Sequence, residues 1–307
     1  MKRILKILMW ILLAVVALFA VQTIRYWDTI QRTMLGGYHT HETVPPQLPA
    51  EIRRPAVLIF SKTNGFRHEE AIPAGNKFFA ELANARGWGH FQTENGAVMS
   101  PAILSRFDVV VFDNASGDMF SPDQQAALKA WLENGGGYVG LHAAGDSSHA
   151  GWQWYQDELI GARFTQHTMA PQFQDALVNV ENRTHPAVKD LPASWKRTEE
   201  WYSFEKSPRA KGFTILATVD EKSYNPEGMF GKDLRMGDHP VAWAHCIGKG
   251  RVFYTAFGHR AEAFAEPETK VLLANALGWA LKQDTQSGGT DYCPPPTLPG
   301  IQPELKR

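Results

Sequence analysis

Short apolar runs alternate with helical patterns through the centre of the chain. Three runs rich in Val, Ile, Leu and Phe, at 56–60, 107–113 and 138–142, predict strands that are buried on both faces. Helical spacing at 72–86 and 122–133 lies between and after them, and the second helix starts with Ser-Pro-Asp. Strands that alternate with helices predict a parallel sheet with helices on both faces.

After about residue 161 the pattern becomes strand-rich. Apolar and β-branched stretches predict four further strands, at 173–180, 213–219, 241–246 and 251–257. A helical pattern at 268–281 closes this region, and the sequence contains no internal repeat. The chain therefore predicts one mixed α/β domain over residues 55–282, with a β-rich second half.

The first 25 residues predict a transmembrane anchor. Residues 7–21 are all apolar, and three basic residues lie within the first six positions. Such a run is long enough to span a bilayer, and the basic residues favour a cytoplasmic N-terminus with a periplasmic or otherwise extracytoplasmic domain. A cleaved signal peptide is the alternative, but Leu18 occupies a position where a cleavage site needs a small residue. We expect an uncleaved anchor.

Two segments flank the predicted domain. Residues 26–54 are polar, contain prolines and show no apolar periodicity, so they predict a stalk. Residues 283–307 form a Gly/Pro-rich tail. Cys246 lies in an apolar, strand-like run, which favours a buried and inert thiol. A disulfide with Cys293 in the tail stays open, because it requires an oxidising compartment.

Composition excludes one broad class of function. Hydrophobic residues make up 44% of the chain, enough for a sizeable core. The net charge is −1, and there is no block of like charge. With no basic surface field to attract phosphates, the sequence predicts that the protein does not bind nucleic acid.

Polar residues follow the three predicted parallel strands. The segment 61–68 contains Lys62, Arg67 and His68, the segment 113–118 contains Asn114, and the segment 140–146 contains His142 and Asp146. Ligands of open parallel sheets bind outside the carboxyl ends of the strands. These segments therefore predict a site at that edge of the sheet.

His142 stands where a nucleophile elbow would place its reactive side chain. The sequence Gly140-x-His142-x-Ala144 has the strand-to-turn form of such an elbow. Since no cysteine lies near it, a thiol-dependent amide hydrolase is excluded, and the nearby serines lack the framing glycines. A histidine here can act as general acid/base or metal ligand, or it can be a structural histidine.

Aromatic residues beside polar ones suggest sugar binding. Trp154 and Tyr155 lie in one such stretch, and Trp201 and Tyr202 follow Glu200 in another. Aromatic rings cover the apolar faces of sugars while polar groups fix the hydroxyls, although aromatic residues also fill cores. In an extended strand only one of two adjacent glutamates faces a cleft, so a glycosidase would need a second acid.

Histidines are concentrated in the second half of the sequence: His142, His149, His167, His185, His239, His245 and His259. None shows the H-x-x-x-H spacing of a zinc helix. The cofactor therefore stays open, with a divalent metal as one candidate.

Several motifs occur in an order that resembles the ThuA-like (trehalose-utilisation) family. They are GFRH (65–68), GGGYVGLHAAGD (135–146), WQWY (152–155), EEWYSF (199–204), HPVAW (239–243) and GRVFYTAFGH (250–259). The resemblance implies a flavodoxin-like, class I glutamine amidotransferase-like sheet without the amidotransferase cysteine. It also implies a disaccharide, a glycoside or its keto derivative as substrate, and a sugar dehydrogenase as a partner.

The family positions and the residue chemistry together predict a site. We expect His142 as base or ligand, oriented by Asp146, with Glu200 as a further catalytic group. The expected substrate contacts are Lys62, Arg67, His68, Asn114, Trp154, Tyr155, His167, Trp201, Tyr202, His239 and His259. Acid/base chemistry on a keto-sugar or glycoside is the leading hypothesis. A non-catalytic sugar-binding or scaffold module, and a metal-dependent hydrolase of another substrate, are the alternatives.

Overall fold

A computed structural model describes residues 2–283 and Cys293. The strands are β1 (Ala56–Phe60), β2 (Gly89–Thr93), β3 (Val109–Asp113), β4 (Gly137–Leu141), β5 (Phe164–His167), β6 (Phe173–Val180), β7 (Ser194–Glu200), β8 (Tyr202–Phe204), β9 (Thr214–Val219), β10 (Pro240–Ile247) and β11 (Gly250–Thr255). The helices are α1 (Lys2–Arg25), α2 (Trp27–Met34), α3 (Ala71–Arg86), α4 (Pro101–Leu104), α5 (Pro122–Glu133) and α6 (Pro267–Ala280).

Nine strands form one sheet in the order β2-β1-β3-β4-β11-β10-β9-β6-β7. The first five are parallel to one another, and each later neighbour is antiparallel. β5 and β8 pair separately. The predicted α/β fold with a strand-rich second half is confirmed.

The central strands are apolar because both of their faces are covered. All five residues of β1 and all five of β3 are buried. Local signals fix the helices beside them. Ser121 and Gln124 form a capping box at the start of α5, and α3 ends at Gly87, whose φ of 67° suits glycine.

Helix α1 extends over 24 residues, and none of its described side chains is buried. It is long and apolar enough to cross a membrane. A signal sequence near the N-terminus has the same length and composition.

The segment expected to be a stalk packs on the domain in this structure. Arg32 of α2 donates to the carbonyl oxygen of Gly65 at 3.3 Å, and Lys62 contacts the Glu42 carboxylate at 2.5 Å. Gln124 donates to the carbonyl oxygen of Glu42 at 2.7 Å. The segment has no apolar periodicity because its contacts are largely polar and backbone-mediated.

Cys246 and Cys293 form a disulfide, with their Cα atoms 5.6 Å apart. The sequence favours an inert thiol at Cys246, and this expectation is corrected. Cys246 is half-buried near the end of β10, so its sulfur is accessible to Cys293.

Candidate functional site

The polar cluster begins at the corner after β4. His142 has a φ of +48°, a left-handed conformation that non-glycine residues adopt rarely and that is concentrated at functional sites. Its Nδ1 donates to the carbonyl oxygen of Ala256 at 2.8 Å. The Tyr254 hydroxyl donates to the carbonyl oxygen of His142 at 2.8 Å. The imidazole therefore has a fixed orientation, and its Nε2 faces the cluster.

Two more histidines reach this corner from neighbouring strands. His68 follows β1, and His259 follows β11. The ring centroids of His68 lie 4.7 Å from His142 and 4.5 Å from His259, with the rings edge to face. One nitrogen from each of the three rings lies within 4.8 Å of the others. Three carboxyl-end loops therefore meet at one group of imidazoles, as expected for an open parallel sheet.

Glu200, at the end of β7, joins the histidines through one carboxylate oxygen. Its Oε2 is 3.0 Å from Nδ1 of His259 and 3.3 Å from Nε2 of His142. Burial raises the pKa of Glu200, but its contacts with His142 and His259 outweigh burial and hold the pKa well below its usual range. The carboxylate is therefore ionised at neutral pH, although its side chain is only 2% exposed.

The second oxygen of Glu200 faces a different pair of groups. Its Oε1 is 3.1 Å from Nδ1 of His167 and accepts a hydrogen bond from Nε2 of Gln172 at 2.5 Å. The side chain of His167 is 29% exposed and that of His259 is 16% exposed, whereas His142 is fully buried. A ligand can therefore contact His167 and His259 directly, while His142 forms the floor.

Burial changes the pKa of His68. Burial, followed by the neighbouring His142 and His259, lowers the pKa of His68 well below its usual value. The ring is therefore neutral at physiological pH, which is the form that can accept a proton or bind a metal. Among the described residues its Nδ1 has no hydrogen-bond partner.

A second buried pair supports the His259 loop. Arg197 donates to Oε2 of Glu199 at 2.7 Å, and the same oxygen accepts from the backbone N–H of Gly258 at 3.1 Å. Gly258 has a φ of +114°, which favours glycine. The two adjacent glutamates therefore have different roles. Glu200 faces the site, and Glu199 holds the loop that carries His259.

The cluster opens into a pocket of about 600 Å³, a volume typical of small-molecule sites. Phe66, Phe164 and Tyr202 supply aromatic surface in its lining. Polar and charged side chains complete the lining, namely Arg32, Thr33, His68, Asp146, Ser147, Ser148, His167, Gln172, Glu200 and His259. Aromatic faces therefore lie beside titratable groups in the pocket lining.

Among the described hydrogen bonds, none joins Asp146 to His142, and the expected orienting role of Asp146 stays a prediction. Asp146 lines the pocket, but its Oδ1 caps the short turn after it by accepting from the backbone N–H of Ser148 at 2.8 Å. The carbonyl oxygen of Ala256 holds His142 instead. This contact could not be predicted from the sequence, because a backbone carbonyl has no residue signature.

Three predicted aromatic contacts lie away from the pocket lining. Tyr155 is fully buried and donates to the carbonyl oxygen of Ala144 at 2.7 Å. Trp201 is 1% exposed, and its indole N–H donates to the carbonyl oxygen of Gln174 at 2.9 Å. Trp154 is half-buried and packs on Trp152, with ring centroids 5.4 Å apart. All three pack between elements in this structure, and their role in substrate contact stays a prediction.

Four predicted polar contacts hold the fold together. Lys62 binds Glu42, and Arg67 forms a two-point contact with Glu94 at 2.9 and 3.0 Å. Asn114 donates to the carbonyl oxygen of Gly258 at 3.1 Å. His239 lies between the Glu221 carboxylate at 2.8 Å and the carbonyl oxygen of Tyr202 at 2.7 Å. Protein groups contact all four side chains, although Oδ1 of Asn114 has no partner among the described residues, and their role in substrate contact stays a prediction.

Sequence reasoning missed several lining residues. Gln172 lies in an irregular loop without a motif, yet it contacts Glu200 directly. Arg32 and Thr33 come from the segment read as a stalk. The only available signal was the short amphipathic pattern of α2, which is too brief to place the helix against the site.

Comparison with known proteins places these features in a family. Residues 56–280 match the family described as ThuA, trehalose utilisation. The crystal structure of a ThuA-like protein from Bacteroides uniformis is 30% identical, with a TM-score of 0.64, and covers 77% of this chain and 95% of that one. A ThuA-like protein from Parabacteroides merdae is 19% identical, with a TM-score of 0.56 and coverage of 74% and 90%. No curated protein matches this sequence. The motifs, the glutamine amidotransferase-like sheet and these matches agree, and the chain belongs to the ThuA family, which is related to trehalose utilisation.

Proposed function

We propose that the pocket binds a carbohydrate and that its histidine–glutamate cluster performs acid/base chemistry on it. The observation that carries this proposal is the position of Glu200, a buried carboxylate in contact with three imidazoles at the floor of a pocket of about 600 Å³. Simple sugar binding has little need of four titratable groups in contact. Proton transfer does need groups whose charge can change near neutral pH.

A disaccharide or glycoside in keto form is the substrate that suits this site. A ketone acidifies the hydrogen on the neighbouring carbon, so a base can remove that proton. The glycosidic C–O bond then breaks as a C=C bond forms, and the departing oxygen receives a proton. His167, the most exposed of the imidazoles around Glu200, is the proposed proton-transfer group. Glu200 positions it and stabilises the imidazolium that forms, and His142 and His259 contact Glu200 from the other side.

The same proposal includes a location and a partner. The basic N-terminus and the apolar helix α1 support anchoring with the domain outside the cytoplasm. The disulfide supports an oxidising compartment, since such bonds persist there. A sugar dehydrogenase is the proposed partner, because oxidation of a sugar hydroxyl supplies the ketone.

Turnover tests the proposal. The full chain in detergent is incubated with a keto-disaccharide and with the unoxidised parent, and products are followed by mass spectrometry. We expect cleavage of the keto form only, lost at least 100-fold in His259→Ala and in His142→Ala. His90→Ala is the matched control, because His90 lies on the edge strand β2. Binding without turnover of either sugar would instead support a non-catalytic module.

A further inference from the structure

We propose that His68, His142, His259 and Glu200 form the binding site of one divalent transition-metal ion of the Zn²⁺ class. Three imidazoles and one carboxylate are a donor set suited to zinc and its neighbours. The four side chains come from four separate segments of the chain, and each is at least mostly buried. Two features support this site: the distances between the donor atoms, and the protons available to those atoms.

The distances are those between ligands of one ion. Nδ1 of His259 is 3.0 Å from Nε2 of His142 and 3.0 Å from Oε2 of Glu200, and the last two atoms are 3.3 Å apart. Metal–ligand bonds of about 2.1 Å place neighbouring donor atoms about 3.0–3.4 Å apart, from octahedral to tetrahedral geometry. The three atoms therefore form one face of a coordination shell.

The number of protons on the donor atoms also favours a bound cation. The Nδ1 of His142 donates to a carbonyl oxygen, so in the neutral ring Nε2 carries a lone pair. The oxygens of the Glu200 carboxylate offer lone pairs. The Nδ1 of His259 can donate one proton to one of its two neighbours. A cation at the centre satisfies all three contacts, whereas the neutral rings leave two lone pairs facing each other at 3.3 Å.

His68 supplies the independent observation. It is 6% exposed, and its Nδ1 has no hydrogen-bond partner among the described residues. One of its ring nitrogens lies within 4.8 Å of a nitrogen of His142 and of His259, which makes His68 the candidate for the fourth ligand. A buried nitrogen without a partner is costly unless something binds it.

The surroundings also have the organisation of a metal centre. A backbone carbonyl fixes the distal nitrogen of His142, and Gln172 and His167 engage the second oxygen of Glu200. The pocket borders His68, Glu200 and His259, so the ion's remaining position faces the ligand space. Catalytic metal sites keep such an open position.

This inference deepens the proposed function and rests on it for its chemical meaning. A bound ion would polarise the ketone oxygen and stabilise the negative charge that develops there when the neighbouring proton is removed. Metal binding itself does not depend on the nature of the substrate, so the two claims can fail separately.

The test uses the full chain in detergent, stripped with a chelator and dialysed. ZnCl₂ and CoCl₂ are added, and metal per chain, the visible absorption of bound Co²⁺ and the thermal midpoint are recorded. We expect one ion per chain, a raised midpoint, and affinity at least 100-fold weaker in His142→Ala and His259→Ala. Glu200→Gln keeps the shape of the side chain and should weaken binding at least 10-fold. His90→Ala should bind like the wild type.

The outcomes are separable. Failure of Mn²⁺, Fe²⁺, Co²⁺, Ni²⁺, Cu²⁺ and Zn²⁺ to bind stoichiometrically would overturn the metal site, as would unchanged affinity in folded Glu200→Gln and His68→Asn. Sugar turnover that persists in the metal-free protein would refute the proposed role of the ion in catalysis. Stoichiometric metal, lost in these variants, with no sugar turnover would leave the metal site standing and refute the proposed function alone.

Discussion

Asp113, at the end of β3, gives a quantitative test of the buried electrostatics. Its carboxyl is fully buried, Oδ2 has no partner among the described residues, and Asn114 is 3.2 Å from Oδ1. Gly75 lets α3 approach so closely that a Cβ there would lie 2.3 Å from Oδ2. Burial raises the pKa of Asp113 to about 8, and the hydrogen bond from Asn114 offsets part of the rise.

The direction of the pH effect follows from proton uptake. Between pH 4 and 8 the folded protein holds a proton on Asp113 that the unfolded chain has lost, so stability falls as pH rises through this window. At pH 7 the solution is about 3 pH units above the pKa of Asp113 in the unfolded chain. At 1.36 kcal/mol per unit, the folded protein has then lost about 4 kcal/mol of stability. Asp113→Asn removes the titration and should be more stable than the wild type at pH 7 by up to this amount.

The assay is thermal and urea unfolding of the two proteins in detergent at half-unit steps from pH 5 to pH 8.5. The stability difference should grow with pH, while Asp123→Asn, at an exposed position in α5, should change stability by no more than about 0.5 kcal/mol at every pH. Parallel pH profiles for the wild type and Asp113→Asn would mean that Asp113 is ionised when folded, and would refute the reasoning.

Three further predictions address other parts of the molecule. Gly258→Ala places a side chain at a φ of +114° and should shift His259, lowering turnover at least 10-fold while circular dichroism stays unchanged; full activity would contradict it. Burial lowers the pKa of His245 to about 4, so stability should fall as pH drops from 6.5 to 4, and His245→Phe should reduce that slope in acid unfolding curves; equal slopes would rule this out. Glu42→Ala leaves the buried Lys62 ammonium with the carbonyl oxygen of Thr40 but without a counter-charge, so urea unfolding should show a loss of about 3 kcal/mol that Lys62→Met partly restores; no loss would contradict this.

The sequence predicts best where burial alone determines the pattern. β1, β6 and α5 have the predicted bounds, because a run buried on both faces or a capped helix leaves a local signature. Strand β7 was missed because Arg197, Glu199 and Glu200 are buried in it. Their charges are compensated by tertiary contacts, such as the Arg197–Glu199 pair, that no local pattern reveals.

The same limit applies to the site. His142 could be singled out from the glycines and small residues of its corner, and the family motifs marked His68, Glu200 and His259. The roles of Lys62 and His239 could not be read, since each depends on an acidic partner about 20 residues away in the chain, Glu42 and Glu221. A residue type indicates possible chemistry, whereas its partners decide whether the side chain is free to use it.

Loss of a labelled hydrogen tests the central claim most directly. A keto-disaccharide carrying deuterium on the carbon beside the ketone is incubated with the full chain, and label in substrate and products is measured by mass spectrometry. The account predicts rapid loss of deuterium to water with the wild type and with His90→Ala, and a rate near the uncatalysed one with His259→Ala. Retention of the label in the presence of wild-type protein, under conditions where the sugar binds, would contradict it.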